Sequence, residues 1–436
     1  MNILYLNHYA GSPRHGMEYR PYYLSREWVR AGHAVTMLAA AYSHVRATQP
    51  QGADGSALTS PMTEAIEGIR YRWFPAPAYQ GNGLGRVKNI WAFLRQVWAA
   101  APALVAEIRP DVVIASSTYP MDIWVARRLA RLARAKLVFE VHDLWPLSPI
   151  ELSGMSPRHP FIMLCQAAED AAYSDADLVV SMLPKVAGHM SGRGLDLQRL
   201  VIVPNGISPD DWAPPPVADG ERSAAAPLRA DINELITAAR TAGRTVVGYA
   251  GSMGLPNALD DLLDALKHLA ATQPEAAARL QVILVGDGHE RERLQQRIAA
   301  EGLGGWVSWL APIPKAQIPA LLAAIDIAYI GWQKVPIYRF GIAPNKLMDY
   351  MMAGCCVLHA VEAGNDPVAE AGCGITVAPQ DPATIAAGLL RLAALPAGER
   401  RAMGERGRAF VLAEHTYPVL ARRFVDAVQA APARHR

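Results

Sequence analysis

Cysteine, surplus charge and long apolar runs are all scarce in this 436-residue chain, and each shortage excludes something. The four cysteines, Cys165, Cys355, Cys356 and Cys373, form no Cys-x-x-Cys spacing. That removes the common zinc and dithiol frameworks and leaves reduced, partly buried thiols as the expectation. Lys and Arg number 42 against 40 Asp and Glu, a net of +2, so no bulk field asks for a nucleic-acid partner. No stretch supplies the roughly 18 uncharged apolar residues that a membrane-spanning helix needs. The opening "MNILYLNHY" has neither the basic start nor the cleavage site of a secretory leader. A cytoplasmic protein is expected, with a peripheral place on the inner face of the cell membrane kept open. A full G-x-G-x-x-G is also missing, because "GDGHER" offers only the first two glycines; as a dinucleotide signal it is weak.

What is present is alternation. In the first half, "NILYLN", "AVTMLAA", "DVVIASS", "AKLVFEVHD", "ADLVVSM" and "RLVIVPNGI" have the continuous aliphatic character of strands buried on both faces. A helix from about Tyr19 to Ala31 follows the loop "GSPRHG". A second series runs "TVVGYAGSMG", "LQVILVGDG", "WVSWLAP", "IDIAYIG", "CCVLHAV" and "GITVAP". Strands alternating with helical patterns predict parallel sheets covered by helices, and the length exceeds what one core usually serves. The expectation is α/β: two doubly wound Rossmann-like domains, residues 1–207 and 243–412, facing an interdomain cleft. Residues 208–242, rich in Pro, Ala and Asp, read as a linker, and 413–436 as a helix packing back toward the first domain. Such sheets bind ligands beyond the carboxyl ends of their strands.

The most chemically suggestive stretch is "YRFGIAPNKLMDYMMAGCCVL", residues 338–358. Pro344 suits the first position of a helix, so the amides of Asn345 and Lys346 should face outward at an entrance that favours anions. Lys346 adds a full charge. Asp349 and Tyr350 should share its helix face, with Leu347 and Met351 buried. A lysine for phosphate and a carboxylate for ribose hydroxyls would suit a nucleoside diphosphate. The competing reading is an exposed Lys346–Asp349 pair worth only tenths of a kcal/mol.

"APNKLMDYMMAG" before a strand, with "GYAGSMG…ALDDLLDAL", "LVGDG" and "VHDLWP", resembles the retaining GT-B glycosyltransferases of family 4, in particular the branch building bacterial O-antigen, capsule and exopolysaccharide. The opening "NHYAGSPRHGMEYRPYYLSREWVRAGHAVTMLAA" is similar to members that transfer N-acetylated aminodeoxysugars such as N-acetyl-fucosamine. The resemblance implies His142 beside the donor sugar and Gly11 to Gly16 as the loop near the acceptor and donor phosphate. It implies Gly251 and Ser252 by the diphosphate, Pro312 and Ile313 by the base, and Asp349 at the ribose. Asn257, Gly286, Ile342, Ala343, Pro344 and Asn345 would complete the substrate-binding set. Two departures stand out. The first of the family's paired glutamates falls at Gly341, and its Arg and Lys after the first strand of the second domain fall at Ser252 and Asn257. Lys346 is then the main candidate to neutralise the leaving diphosphate, with Lys334 and Arg339 as helpers; His142 and Lys346 are the expected catalytic residues.

The function so implied is transfer of a sugar from a UDP-sugar to a polyprenyl-diphosphate-linked acceptor, with no metal or other cofactor. Arg86, Lys88 and Arg95 interleave with Trp91, Phe93 and Trp98, and Arg127, Arg128, Arg131, Arg134 and Lys136 follow. That suits an anionic bilayer surface, although an ordinary helix with buried aromatics would carry the same pattern. Two other functions use this fold: a UDP-sugar 2-epimerase, which needs more cleft carboxylates than are evident, and a non-catalytic nucleotide-sugar-binding partner protein.

Overall fold

The computed structural model describes residues 1–16, 19–81, 83–212 and 226–432. The chain divides into two compact units, Met1–Asn205 with Tyr417–Arg436, and Gly206–Thr416. In the first, the strands are β1 (Asn2–Leu6), β2 (Ala34–Ala40), β3 (Met62–Ile66), β4 (Ile69–Phe74), β5 (Val112–Ala115), β6 (Lys136–Val141), β7 (Leu178–Ser181) and β8 (Leu200–Ile202). They form one sheet in the order β3-β4-β2-β1-β5-β6-β7-β8, parallel except where β3 pairs with β4. Six of these strands follow the aliphatic runs. The β3–β4 hairpin was not expected from those runs, because its strands alternate exposed and buried residues. Its turn is Glu67–Gly68, both at positive φ (46° and 81°), the backbone that tight hairpins demand.

The second unit holds β9 (Thr245–Ala250), β10 (Leu280–Val285), β11 (Val307–Leu310), β12 (Ile327–Gly331), β13 (Cys356–Ala360) and β14 (Gly374–Val377). The order is β11-β10-β9-β12-β13-β14, parallel throughout. Both units are therefore doubly wound Rossmann-like sheets. In each, strand order reverses beside the first strand, between β1 and β5 and between β9 and β12, where connections leave to opposite faces and open a crevice at the carboxyl ends. All four cysteines are free and buried.

Part of the expected linker, 213–225, lies outside the described residues. Another part is not a linker: Ala230–Thr241 is a helix whose Ile232, Ile236 and Ala239 are buried in the second unit's core. Its apolar residues recur at helical spacing, a signal masked by the Pro- and Ala-rich composition before it.

The last helix, Tyr417–Ala430, belongs to the first unit and buries Tyr417, Leu420, Ala421, Phe424, Val425 and Val428. Trp28 Nε1 donates to the Ala421 carbonyl at 3.0 Å, and Tyr23 stacks on Tyr417 at 4.8 Å. Lys136 Nζ donates to the Val428 and Gln429 carbonyls near the helix end, where a cation complements the dipole. Trp28→Ala should therefore lower unfolding stability by about 3–5 kcal/mol through the cavity and the lost bond, read as a shift of the urea midpoint; a change under ~1 kcal/mol would mean that this helix is not docked in solution.

Candidate functional site

The second unit's crevice is built around the entrance of the helix Asn345–Met352. Gly341, at φ 96°, turns the chain in a backbone region that a glutamate would find strained. Asn365 then clamps Ile342 from both sides, accepting from its N–H at 2.7 Å and donating to its carbonyl at 3.1 Å. Pro344 sits one residue earlier than expected, as the extended N-cap (ψ 124°) rather than the first helical residue; lacking an N–H, it suits either place. Asn345 is exposed, Ala343 half-buried and Leu347, Met348, Tyr350 and Met351 are buried. Tyr350 is not on Lys346's face: its hydroxyl accepts from Ala250 N at 2.9 Å and so pins the helix to the end of β9.

Lys346 reaches the same turn. Its ammonium donates to Asn257 Oδ1 at 2.9 Å and to the Tyr249 hydroxyl, and lies 4.0 Å over the Tyr249 ring. The Tyr249 hydroxyl gives its own proton to the Ser252 carbonyl, so a lone pair faces the lysine. Gly251 makes the approach possible: a Cβ there, at φ 147°, would stand 2.6 Å from Lys346 Cε. Gly286 ends β10 against the same loop, where a Cβ would come 1.9 Å from the Gly251 carbonyl. Gly251, Ser252, Asn257, Gly286 and Lys346 are thus brought together, and Tyr249 and Asn365 complete a construction that the sequence reading missed. Among the described residues, none of Lys346's contacts is an anion. Burial accordingly pushes its ammonium down from 10.5 to about 7.

Asp349 does not join this group. No ion pair links it to Lys346 among the described residues, which also sets aside the exposed-pair reading. Its charged neighbours are Lys315 and Asp211: burial raises it to about 7, Lys315 draws it down and Asp211 pushes it up. Pro312 and Ile313 begin the loop that carries Lys315, and Arg229 Nη1 donates to the Ala311 and Pro312 carbonyls. Lys334 is occupied at the surface by Glu362 at 2.8 Å, and Arg339 donates to the Pro336 carbonyl over the Phe340 ring.

In the first unit, Gly11 and Gly16 frame a closed loop after β1. The Gly11 carbonyl accepts from the Tyr71 hydroxyl, Gly16 N donates to the Ser12 carbonyl, and Gly16, at φ 76°, packs on Ala47. His142 follows β6 and is only 7% exposed. Its Nε2 lies 2.8 Å from Ser116 Oγ and 3.5 Å from Glu140 Oε2. Glu140 itself is paired with Arg20 at 2.9 Å, both buried. The alternation of β6 could have pointed to Glu140, a charged residue inside an aliphatic strand. Asp175 and Asp177, the chain's one Asp-x-Asp spacing, are engaged elsewhere, with Arg127 at 2.6 Å and with Leu137 N at 2.7 Å.

A groove of about 960 Å³ runs along the helix Leu84–Ile108, lined by Lys88, Trp91, Arg95, Trp98, Trp124 and Arg127 among others, with no carboxylate. The expected aromatic and basic face is narrower than the sequence suggested. Phe93 is fully buried, Arg86 turns to the Tyr9 hydroxyl, and Lys136 is spent on the last helix.

Residues 15–206 match the family described as glycosyl transferase 4-like domain, and 244–394 match glycosyl transferases group 1. The chain is similar to D-inositol 3-phosphate glycosyltransferase of Stackebrandtia nassauensis, 25% identical over 331 residues. That match covers 74% of this chain and 66% of the relative, just under two thirds of its length. Among solved structures it resembles sucrose-phosphate synthase from Thermosynechococcus elongatus, with a TM-score of 0.70 at 18% identity over 98% of both chains. Anabaena Alr3699/HepE, solved with UDP and glucose, gives a TM-score of 0.63 at 18% identity, covering 99% of this chain and all of the other. These folds are GT-B.

An amine reacts with acylating reagents only when unprotonated. Competitive acetylation across pH should thus show Lys346 half-reactive near pH 7, far below the ~10.4 of exposed lysines; a midpoint above about pH 9.5 would mean that the ammonium is solvated.

Proposed function

The chain belongs to the glycosyltransferases, 4-like in its first half and group 1 in its second, and from that premise we propose that it transfers a sugar from UDP to a polyprenyl-diphosphate-linked acceptor with retention at the anomeric carbon. The sugar is an N-acetylated aminodeoxyhexose, and the product serves surface polysaccharide synthesis at the inner face of the cell membrane. The observation that carries the donor half is the Lys346 ammonium held against the glycine turn after β9, with only neutral partners among the described residues.

A buried cation without an anion is costly. A diphosphate laid between the Gly251–Ser252 backbone and the start of the helix Asn345–Met352 supplies the missing charge and accepts the helix-entrance amides. Pro312 and Ile313 then flank the base, and Asp349 receives the ribose hydroxyls. As the glycosidic bond lengthens, negative charge grows on the leaving phosphate, and the ammonium and amides, already in place, stabilise it. The acceptor hydroxyl attacks from the face the diphosphate leaves, which passes its proton to the departing phosphate oxygen. His142 sits beside the transferring sugar.

For the membrane side, support comes from Leu84, Lys88, Trp91, Arg95 and Trp98, spaced along one helix face. Leu84 is 80% exposed and both tryptophans 44%, and Arg128 stacks on Trp98 at 4.7 Å. Tryptophans interleaved with cations suit the headgroup level of an anionic bilayer.

In a thermal-shift screen, UDP-sugars should stabilise the protein more than GDP- or dTDP-sugars. Slow UDP-sugar hydrolysis without acceptor should fall about 10²–10³-fold in Lys346→Ala; undiminished hydrolysis would remove the lysine from the mechanism. Flotation with vesicles containing anionic phospholipid should recover the protein, and the double variant Trp91→Ala/Trp98→Ala should stay at the bottom of the gradient. Equal flotation of both would clear this face of membrane contact.

A further inference from the structure

Three side chains make four hydrogen bonds to one buried carboxylate beneath His142. Glu140 Oε1 accepts from Arg20 Nε at 3.0 Å and Nη2 at 2.9 Å. Its Oε2 accepts from the Tyr5 hydroxyl and from Ser116 Oγ, the latter at 2.6 Å. Burial alone would raise this carboxyl, but the Arg20 guanidinium, then His142 and Ser116, outweigh it and hold it well below the usual range. Glu140 is therefore ionised and has no proton to give.

That fact settles the direction of each bond above it. The Ser116–Glu140 contact must use the single proton of the Ser116 hydroxyl. Ser116 Oγ also lies 2.8 Å from His142 Nε2, and with its proton committed the oxygen can only accept there. Asn7 Nδ2, at 3.3 Å, donates to the same oxygen. His142 Nε2 must then carry its hydrogen in every protonation state of the ring.

We infer that Glu140, acting through Ser116, is a positioning residue that holds His142 in the Nε2–H form, so that the ring gains and loses its other proton at Nδ1. The geometry stands by itself; its catalytic meaning rests on the role proposed above for His142. Among the described residues, the charged groups around the ring include Glu140 with Arg20 behind it, and Asp122 and Asp143, both raised by burial and both lowered by the His142 charge. Arg86 acts on Asp143 in turn.

The test uses the full chain with ¹⁵N-labelled histidine. Twelve histidines are present, and the His142 signals are those lost in His142→Gln. Above its titration, wild-type His142 should show a protonated Nε2 and a lone pair on Nδ1. Ser116→Ala should shift the tautomer ratio at least ~10-fold toward Nδ1–H, and Glu140→Gln should lower the ring's titration midpoint by about one pH unit or more. If Glu140→Gln does not fold, because Arg20 is left without its counter-charge, Ser116→Ala decides alone. Nδ1–H in the wild type, or an unchanged ratio in Ser116→Ala, overturns the inference. Activity separates the two claims: a fully active His142→Gln removes the catalytic role without touching the tautomer result, whereas an inactive one with an unchanged Ser116→Ala ratio removes only the relay.

Discussion

The arrangement of the second unit turns on a missing side chain. With no Cβ at Gly251, the Lys346 stem passes within contact of the backbone that ends β9, and the ammonium comes to rest on the Tyr249 ring and hydroxyl and on Asn257. The rest of the crevice serves that placement. Tyr350 ties the helix to Ala250, Asn365 fixes the turn that feeds it, and Gly286 lets the β10 loop close on the Gly251 carbonyl. The proton affinity of the lysine falls on the order of a thousandfold as a result. A group so placed responds to the arrival of negative charge far more strongly than an exposed lysine, whose charge water already screens.

The first unit handles a buried charge in the opposite way. Glu140 is more deeply enclosed than Lys346, yet it is satisfied by a guanidinium and two hydroxyls, so it stays ionised and rigid. Lys346 is held without a counter-ion and Glu140 with one. In the function proposed above, that difference separates a group that meets a ligand from a group that orients its neighbour. His142 is joined to the second kind, and its ring is placed from β5 and β6, beside the point where the strand order reverses between β1 and β5.

Most of the fold was legible because buried parallel strands must be aliphatic on both faces, and twelve such runs stand between helical patterns. The β3–β4 hairpin escaped because half of its residues face solvent and no long aliphatic run marks it. The helix Ala230–Thr241 escaped because its helical spacing follows directly on a Pro- and Ala-rich stretch without periodicity. At the site, the glycines, Asn257 and Lys346 were readable from local chemistry and family resemblance. Tyr249 and Asn365 were not: each is an ordinary residue until the contacts across 97 and 23 positions of chain are known. The shared face of Lys346 and Asp349 was a reasonable reading of helical spacing, but side chains three apart diverge when each finds a different neighbouring loop.

By itself, then, the order of residues determined the two sheets, the proline-led helix entrance and the choice of lysine there, since these follow from periodicity, backbone restriction and charge over a few consecutive positions. Only the tertiary structure decided that this lysine is half-buried among neutral partners, that Asp349 has Lys315 and Asp211 as its charged neighbours, and that an arginine, two hydroxyls and a glutamate stand behind His142. Those outcomes depend on which distant segments exclude water around a charge, and no local stretch of sequence carries that information.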